Sequence, residues 1–216
     1  MIDTDTRLRV AQGIDKTETL ASIKVFETLK QRGHPDGPPP TISDGWGGID
    51  DAMVEVYGKV PQYEGRGRPP TKKYPQPGWQ YVQMVKQRRN GRVIGTKLRV
   101  IYGDEKEVVA LLGRSTAYIE RSNLTSRTFN SRLVRKTLAF SKLVEMYEAS
   151  CAWEDVAYNL GRSHKSLRYE VLHEGRRWEK RSPAMAAGLT DHIWSVEEIL
   201  TTIVAPILDR ETIEIL

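Results

Sequence analysis

Apolar and polar positions follow two different periods along this chain, and the switches between them predict a mixed α/β order. Residues 7–14, Arg-Leu-Arg-Val-Ala-Gln-Gly-Ile, alternate with a period of two and predict a strand. Residues 17–31 place Leu20, Ile23, Val25, Phe26 and Leu29 at helical spacing behind a Thr/Glu start, which predicts a helix. A turn-rich connection over 33–40 leads to a short strand over 40–43, ending at Asp44. A second helix over 48–57 follows, with Ile49, Met53, Val54 and Val56 as its apolar positions. Residues 61–78 hold five prolines and read as a linker or a flexible DNA-contacting loop. The runs 79–85 and 92–102 flank Arg89-Asn90-Gly91, a hairpin signal. Short helices are predicted over 106–112 and from 118 to about 127. The longest covers 141–160, with Leu143, Met146, Ala149, Trp153, Val156 and Leu160 on one face. No internal repeat is visible.

Composition narrows the picture. A chain of 216 residues with 39% hydrophobic content buries one core of ordinary size with appendages. No apolar run approaches the roughly 18 residues that a membrane span needs. The start, Met1-Ile2-Asp3-Thr4-Asp5-Thr6, has neither the basic nor the apolar region of a signal peptide, so export is not expected. The single cysteine, Cys151, lies in a helical apolar pattern and reads as a small core residue rather than a reactive thiol.

Charge changes the picture more than composition does. The net charge is +5, but residues 59–99 carry eleven Lys or Arg against one acid, Glu64. Residues 114–142 carry seven against one, Glu120, which leaves the rest of the chain net negative. Like charges gathered in this way repel unless an anionic surface neutralises them, and nucleic acid is the expected polyanion. A solvated basic face without a partner is the alternative.

Candidate chemistry then gathers at a few residues. Glu120 puts one carboxylate among bases and hydroxyls in Tyr118-Ile119-Glu120-Arg121-Ser122-Asn123-Leu124-Thr125-Ser126-Arg127, and such an acid needs a cationic partner, for which a metal ion is one choice. Asp44, in Thr41-Ile42-Ser43-Asp44-Gly45-Trp46, is a second candidate, because carboxylates from distant segments can share divalent ions in phosphoryl transfer. Each also has a plainer reading. Asp44 before glycine is a turn former, and Glu120 can pair with Arg121 or Arg127 on a helix surface. The run Gly65-Arg66-Gly67-Arg68-Pro69-Pro70-Thr71-Lys72-Lys73 resembles an AT-hook peptide, slim enough for a narrow minor groove, and equally suits generic phosphate contact or a plain loop. Trp46 and Trp153 read as core packing, whereas Trp79 and Tyr81, near Lys86 and Arg88, read as base-stacking candidates. His164 suits either a DNA contact or a satisfied structural position.

Taken in order, Ser43-Asp44-Gly45-Trp46, the segment 118–127, Ala139-Phe140-Ser141-Lys142, Tyr158-Asn159-Leu160 with His164-Lys165-Ser166-Leu167, and Ser182-Pro183-Ala184-Met185-Ala186-Ala187-Gly188-Leu189-Thr190 resemble bacterial insertion-sequence transposases of the DDE class. The resemblance runs over nearly the whole chain. It implies a ribonuclease H-like α/β fold, a mixed sheet flanked by helices, over residues 1–170. A basic β-hairpin insertion at about 59–113 and a helical C-terminal tail over 171–216 complete it. It further implies Mg²⁺ or Mn²⁺, two ions in a complete site, with Asp44 as the second aspartate and Glu120 as the glutamate. Arg66, Arg68, Lys72, Lys73, Lys86, Arg88, Arg89, Arg121, Asn123 and Arg127 are the expected DNA contacts. The implied partners are double-stranded DNA and further copies of the chain, and the implied location is the nucleoid within the cytoplasm.

The front of the chain departs from that pattern. Asp3-Thr4-Asp5-Thr6-Arg7 looks like a later turn of the family's first meander, so the strand bearing the first aspartate is expected to be missing. Asp3 and Asp5 are then turn residues and Asp15 a helix-edge cap, leaving the triad incomplete. Two functions follow as expectations: a fragment of a nicking and strand-transfer enzyme, or a non-catalytic remnant that binds DNA or another subunit.

Overall fold

The computed structural model describes residues 1–65, 67–173 and 175–202, and the chain divides into two compact units, Met1–Cys151 and Ala152–Leu216. In the first unit, α1 (Glu18–Arg32) starts where the Thr17 hydroxyl accepts the Leu20 amide at 3.2 Å and stops at Gly33. There follow β1 (Thr41–Asp44), α2 (Gly48–Tyr57), β2 (Tyr81–Arg89), β3 (Arg92–Tyr102), α3 (Glu105–Leu112) and α4 (Ala117–Phe129). The α5 helix (Val144–Val156) crosses the division between the units.

β1 runs parallel to β2, with Thr41 opposite Tyr81 and Asp44 opposite Met84. A parallel pair needs a crossover, and α2 with the loop that follows it supplies one. β2 then pairs antiparallel with β3, giving a three-stranded mixed sheet with β1 at its edge. The hairpin turn is Asn90-Gly91, both with positive φ of 50° and 76°, the twist that a two-residue connection between twisted strands demands.

The core lies where α1 and α2 cover the base of the sheet. Phe26, Leu29, Ala52, Met53, Tyr57, Trp79 and Tyr81 form its buried cluster. An aromatic chain runs through it, Phe26 to Tyr57 to Trp79 to Tyr102, each step edge-to-face at 5.4–6.4 Å. Val82 of β2 and Val108 of α3 are buried outside that cluster, so the base of β2 is covered on both faces.

Several expectations change. Residues 7–14 form no strand: the segment makes one bridge, Ile2 to Arg9, because Arg7 has φ of 61° and the chain turns back on Met1–Asp3 after one rung. Trp79 and Tyr81 are core residues, 5% and 0% exposed, and offer no face to a base. The longest predicted helix starts at Val144 rather than 141 and widens into a π-type turn over Ala157–Gly161. Trp153 is exposed rather than packed in a core.

The second unit holds the hairpin β4 (Tyr169–His173) and β5 (Arg176–Glu179) and the short helices α6 (Pro183–Ala186) and α7 (Val196–Thr201). The stretch expected to be a helical tail therefore opens as a hairpin. Ser182 caps α6, and Ser195 with Glu198 makes a capping box on α7. His164 sits edge-on to Tyr158 at 4.7 Å. No helix among the described residues is long and apolar enough to cross a membrane.

Candidate active site and nucleic-acid interface

Asp44 is the last residue of β1. Its Oδ1 accepts the Trp46 amide at 3.3 Å, the local turn that sends the chain into α2. The turn closes because Gly48 has no side chain: a Cβ there would stand 2.2 Å from the Trp46 ring. The turn-forming role thus occupies one carboxylate oxygen and leaves the exposed group open to a further partner.

Glu120 lies in the first turn of α4, where the helix dipole favours an acid. Its Oε1 is 3.2 Å from Lys86 Nζ on β2, and the Thr116 hydroxyl donates to it at 3.5 Å. The cation beside Glu120 therefore comes from the hairpin. Both side chains are about half exposed, so this pair contributes at most about 1 kcal/mol.

Asp44 and Glu120 line the same cavity, of about 350 Å³. Asn123, Thr4 and Thr116 also line it, with Ile42, Ile49 and Ile119 among its apolar walls. The N-terminal segment fixes α4 against this cavity. The Arg7 guanidinium lies 3.4 Å above the Tyr118 ring, and Arg9 Nε donates to Ser122 Oγ at 2.8 Å. Sequence reasoning missed both arginines, because nothing local marks a contact that spans more than a hundred residues.

Other carboxylates are engaged elsewhere. Asp3 accepts the Thr6 amide at 2.8 Å, forming the turn expected there. Asp15 pairs with Lys24 at 3.0 Å, and that hydrogen bond holds its carboxyl below the usual range. Asp50 accepts the Tyr102 hydroxyl. Asp44 and Glu120 offer hard oxygen donors of the kind Mg²⁺ and Mn²⁺ take. Among the described residues no group of three His, Cys, Asp or Glu is placed to hold an ion. The pair therefore fits a divalent ion in chemical kind.

The expected DNA contacts fall into three places. Lys86, Arg88 and Arg89 lie on the outer half of β2, and all are exposed. Arg121, Asn123 and Arg127 lie on α4, also exposed, with Arg127 in its last turn. Arg68 and Lys72 are exposed in the Pro-rich loop, whereas Lys73 pairs with Glu55 at 2.7 Å and pins that loop to α2. Arg66 lies outside the described residues. Cys151 is buried, as a small core residue would be.

Residues 99–153 match the model of the IS1 transposase family. The match runs from the end of β3 through α3 and α4 into α5, about a quarter of the chain, and includes Glu120, Arg121, Asn123 and Arg127. It supports an insertion-sequence transposase, a DNA-processing class of protein. No curated protein and no solved structure matches the chain.

Proposed function

We propose that the chain belongs to the catalytic region of an insertion-sequence transposase of the DDE class, which nicks double-stranded DNA and transfers strands with Mg²⁺ or Mn²⁺, and that Asp44 and Glu120 are two of its three carboxylates, the first aspartate not standing with them among the described residues. The supporting observation is that Asp44 and Glu120, distant in sequence, line one cavity beside a hairpin rich in cations. In this reading the sheet is ribonuclease H-like, β1 carries the second aspartate, and α4 carries the glutamate. Asp44 and Glu120 are the residues that would hold the metal. Bound there, the ions would supply activation of the attacking oxygen and charge stabilisation at the leaving 3′ oxygen.

The chain's own groups have separable tasks. Lys86 neutralises Glu120 while no other cation does, and keeps it aimed at the cavity. Asn123, three residues along α4, brings an amide donor to the same cavity, and Arg127 stands two helical turns beyond Glu120 on the same face. Arg68, Lys72, Arg88, Arg89 and Arg121 contact phosphates. The outer edge of β1, with no strand partner among the described residues, favours pairing with another chain and so a homo-oligomer. A DNA partner places the protein at the nucleoid.

A second reading, binding without cutting, has one observation in its favour: Glu120 is already neutralised by Lys86. The test is to incubate the purified chain with Mg²⁺, a donor-end duplex and target DNA. Joined products that disappear in Asp44→Asn and in Glu120→Gln would establish the catalytic reading and overturn the expectation of an incomplete triad. Salt-sensitive binding without joining selects the non-catalytic reading, and cleavage indifferent to both substitutions removes this cavity as the active site.

A further inference from the structure

The β2–β3 hairpin carries six cations, Lys86, Arg88, Arg89, Arg92, Lys97 and Arg99, and no acid between Tyr81 and Tyr102. Arg89 stands opposite Arg92, Val85 opposite Lys97 and Gln83 opposite Arg99, so these pairs share one face of the ribbon. From Lys86 to Ile94 every residue is exposed. A projecting two-stranded ribbon of this charge is electrostatically complementary to duplex DNA and narrow enough to follow a groove.

Two apolar residues interrupt that basic outer half. Val93 and Ile94 are 51% and 64% exposed, immediately after Arg92. The register explains why they escape the alternation: Gln87 faces Gly95 and Arg88 faces Val93, which leaves Ile94 without a partner, in a bulge. A bulge re-aims the side chain it carries. No helix among the described residues covers these exposed aliphatics, and they are flanked by the groups that would hold phosphates.

Resting on the DNA-acting reading above, we propose that the hairpin is a groove-inserted ribbon whose Val93–Ile94 bulge wedges into a base step from the minor groove. Its arginines grip the backbone on either side while the aliphatic pair enters the stack. Proteins that insert such wedges unstack a step and kink the duplex by about 20–90° toward the major groove. Pyrimidine–purine steps, the easiest to unstack, are the preferred point of entry. The ribbon then bends the DNA, a task distinct from holding the reacting phosphate at the Asp44–Glu120 cavity.

The experiment uses the full chain and a duplex carrying 2-aminopurine at TA steps, with donor and acceptor dyes at its ends. The wild type is expected to raise 2-aminopurine fluorescence and bring the ends closer. The variant Val93→Thr with Ile94→Thr, which keeps β-branched residues in the strand, is expected to bind with the same salt dependence and leave the duplex straight. Arg89→Ala with Arg92→Ala is expected to weaken binding and to flatten the slope of log K against log salt by about 0.9 for each phosphate that is no longer neutralised. Binding by the wild type without bending, or equal bending by the threonine variant, overturns the wedge while leaving DNA binding intact. No binding at low salt overturns the wedge together with the DNA-acting reading.

Discussion

The same two strands make two unlike surfaces. At the base of the β2–β3 hairpin, Tyr81, Val82 and Gln83 are 0% exposed. Helices α1 and α2 pack on one face there and α3 on the other. A few residues outward, from Lys86 to Ile94, every side chain is exposed and four of them are cationic. The backbone pairing is continuous across this change, so the difference lies in cover and not in conformation. Covered strand positions serve packing whatever their neighbours in sequence, and uncovered ones are free to meet a ligand. Gln83 marks the border, with its amide donating to the Trp46 carbonyl at 3.0 Å and to the Tyr81 hydroxyl at 2.8 Å, while its oxygen accepts from Arg99.

The contrast breaks most visibly in stability. Phe26→Ala, which empties the core beneath the base, is expected to cost about 3–5 kcal/mol in denaturant unfolding. Arg89→Ala with Arg92→Ala is expected to stay within about 0.5 kcal/mol of wild type. Comparable destabilisation by the two would show that the outer ribbon is part of the folded core after all. Gln83→Leu comes next: it leaves the Trp46 carbonyl without that donor and Arg99 without its acceptor, and should lower stability by about 1–3 kcal/mol.

Alkaline titration sharpens the same boundary. Burial pushes the Tyr57 hydroxyl up to about 12 from its ordinary 10.0, and it pushes Tyr81 and Tyr102 up as well. A raised folded-state pKa means that the unfolded chain releases the proton first. The stabilisation by Tyr57 is therefore intact below pH 10 and is lost as pH rises through about 12. Unfolding midpoints that stay constant over that interval, or tyrosinate absorbance that develops without a delayed fraction, would contradict a dry base. A small effect is also expected at Lys86→Ala. It removes an exposed ion pair with Glu120 and should change stability by no more than about 1 kcal/mol, measured by thermal unfolding.

Much of the first unit was legible because its signals are local. The interval 48–57 is a helix over those residues, the Asn90-Gly91 turn sits where the hairpin pattern put it, and α1 starts behind Thr17 as its Thr/Glu start implies. The Asp3–Thr6 turn was equally visible in its residue types. Period two in residues 7–14 misled, since alternation shows only that a strand is possible, and a strand also needs a neighbour to pair with. Aromatic type misled at Trp79 and Tyr81, because stacking platforms and core fillers are the same side chains and burial alone separates them. The β4–β5 hairpin was missed altogether.

At the candidate site the division is similar. The sequence by itself determined which residues carry chemistry, an isolated acid in a basic helix and an aspartate at a strand end, since charge and residue type are local properties. It also determined that Glu120 needs a cation. Only the tertiary structure decided that the cation is Lys86 rather than Arg121 or Arg127, and that Asp44 and Glu120 line one cavity. It alone showed that Arg7 and Arg9 brace the helix bearing Glu120. Those outcomes depend on crossovers that bring distant segments together, and no local pattern encodes the path by which a chain returns to itself.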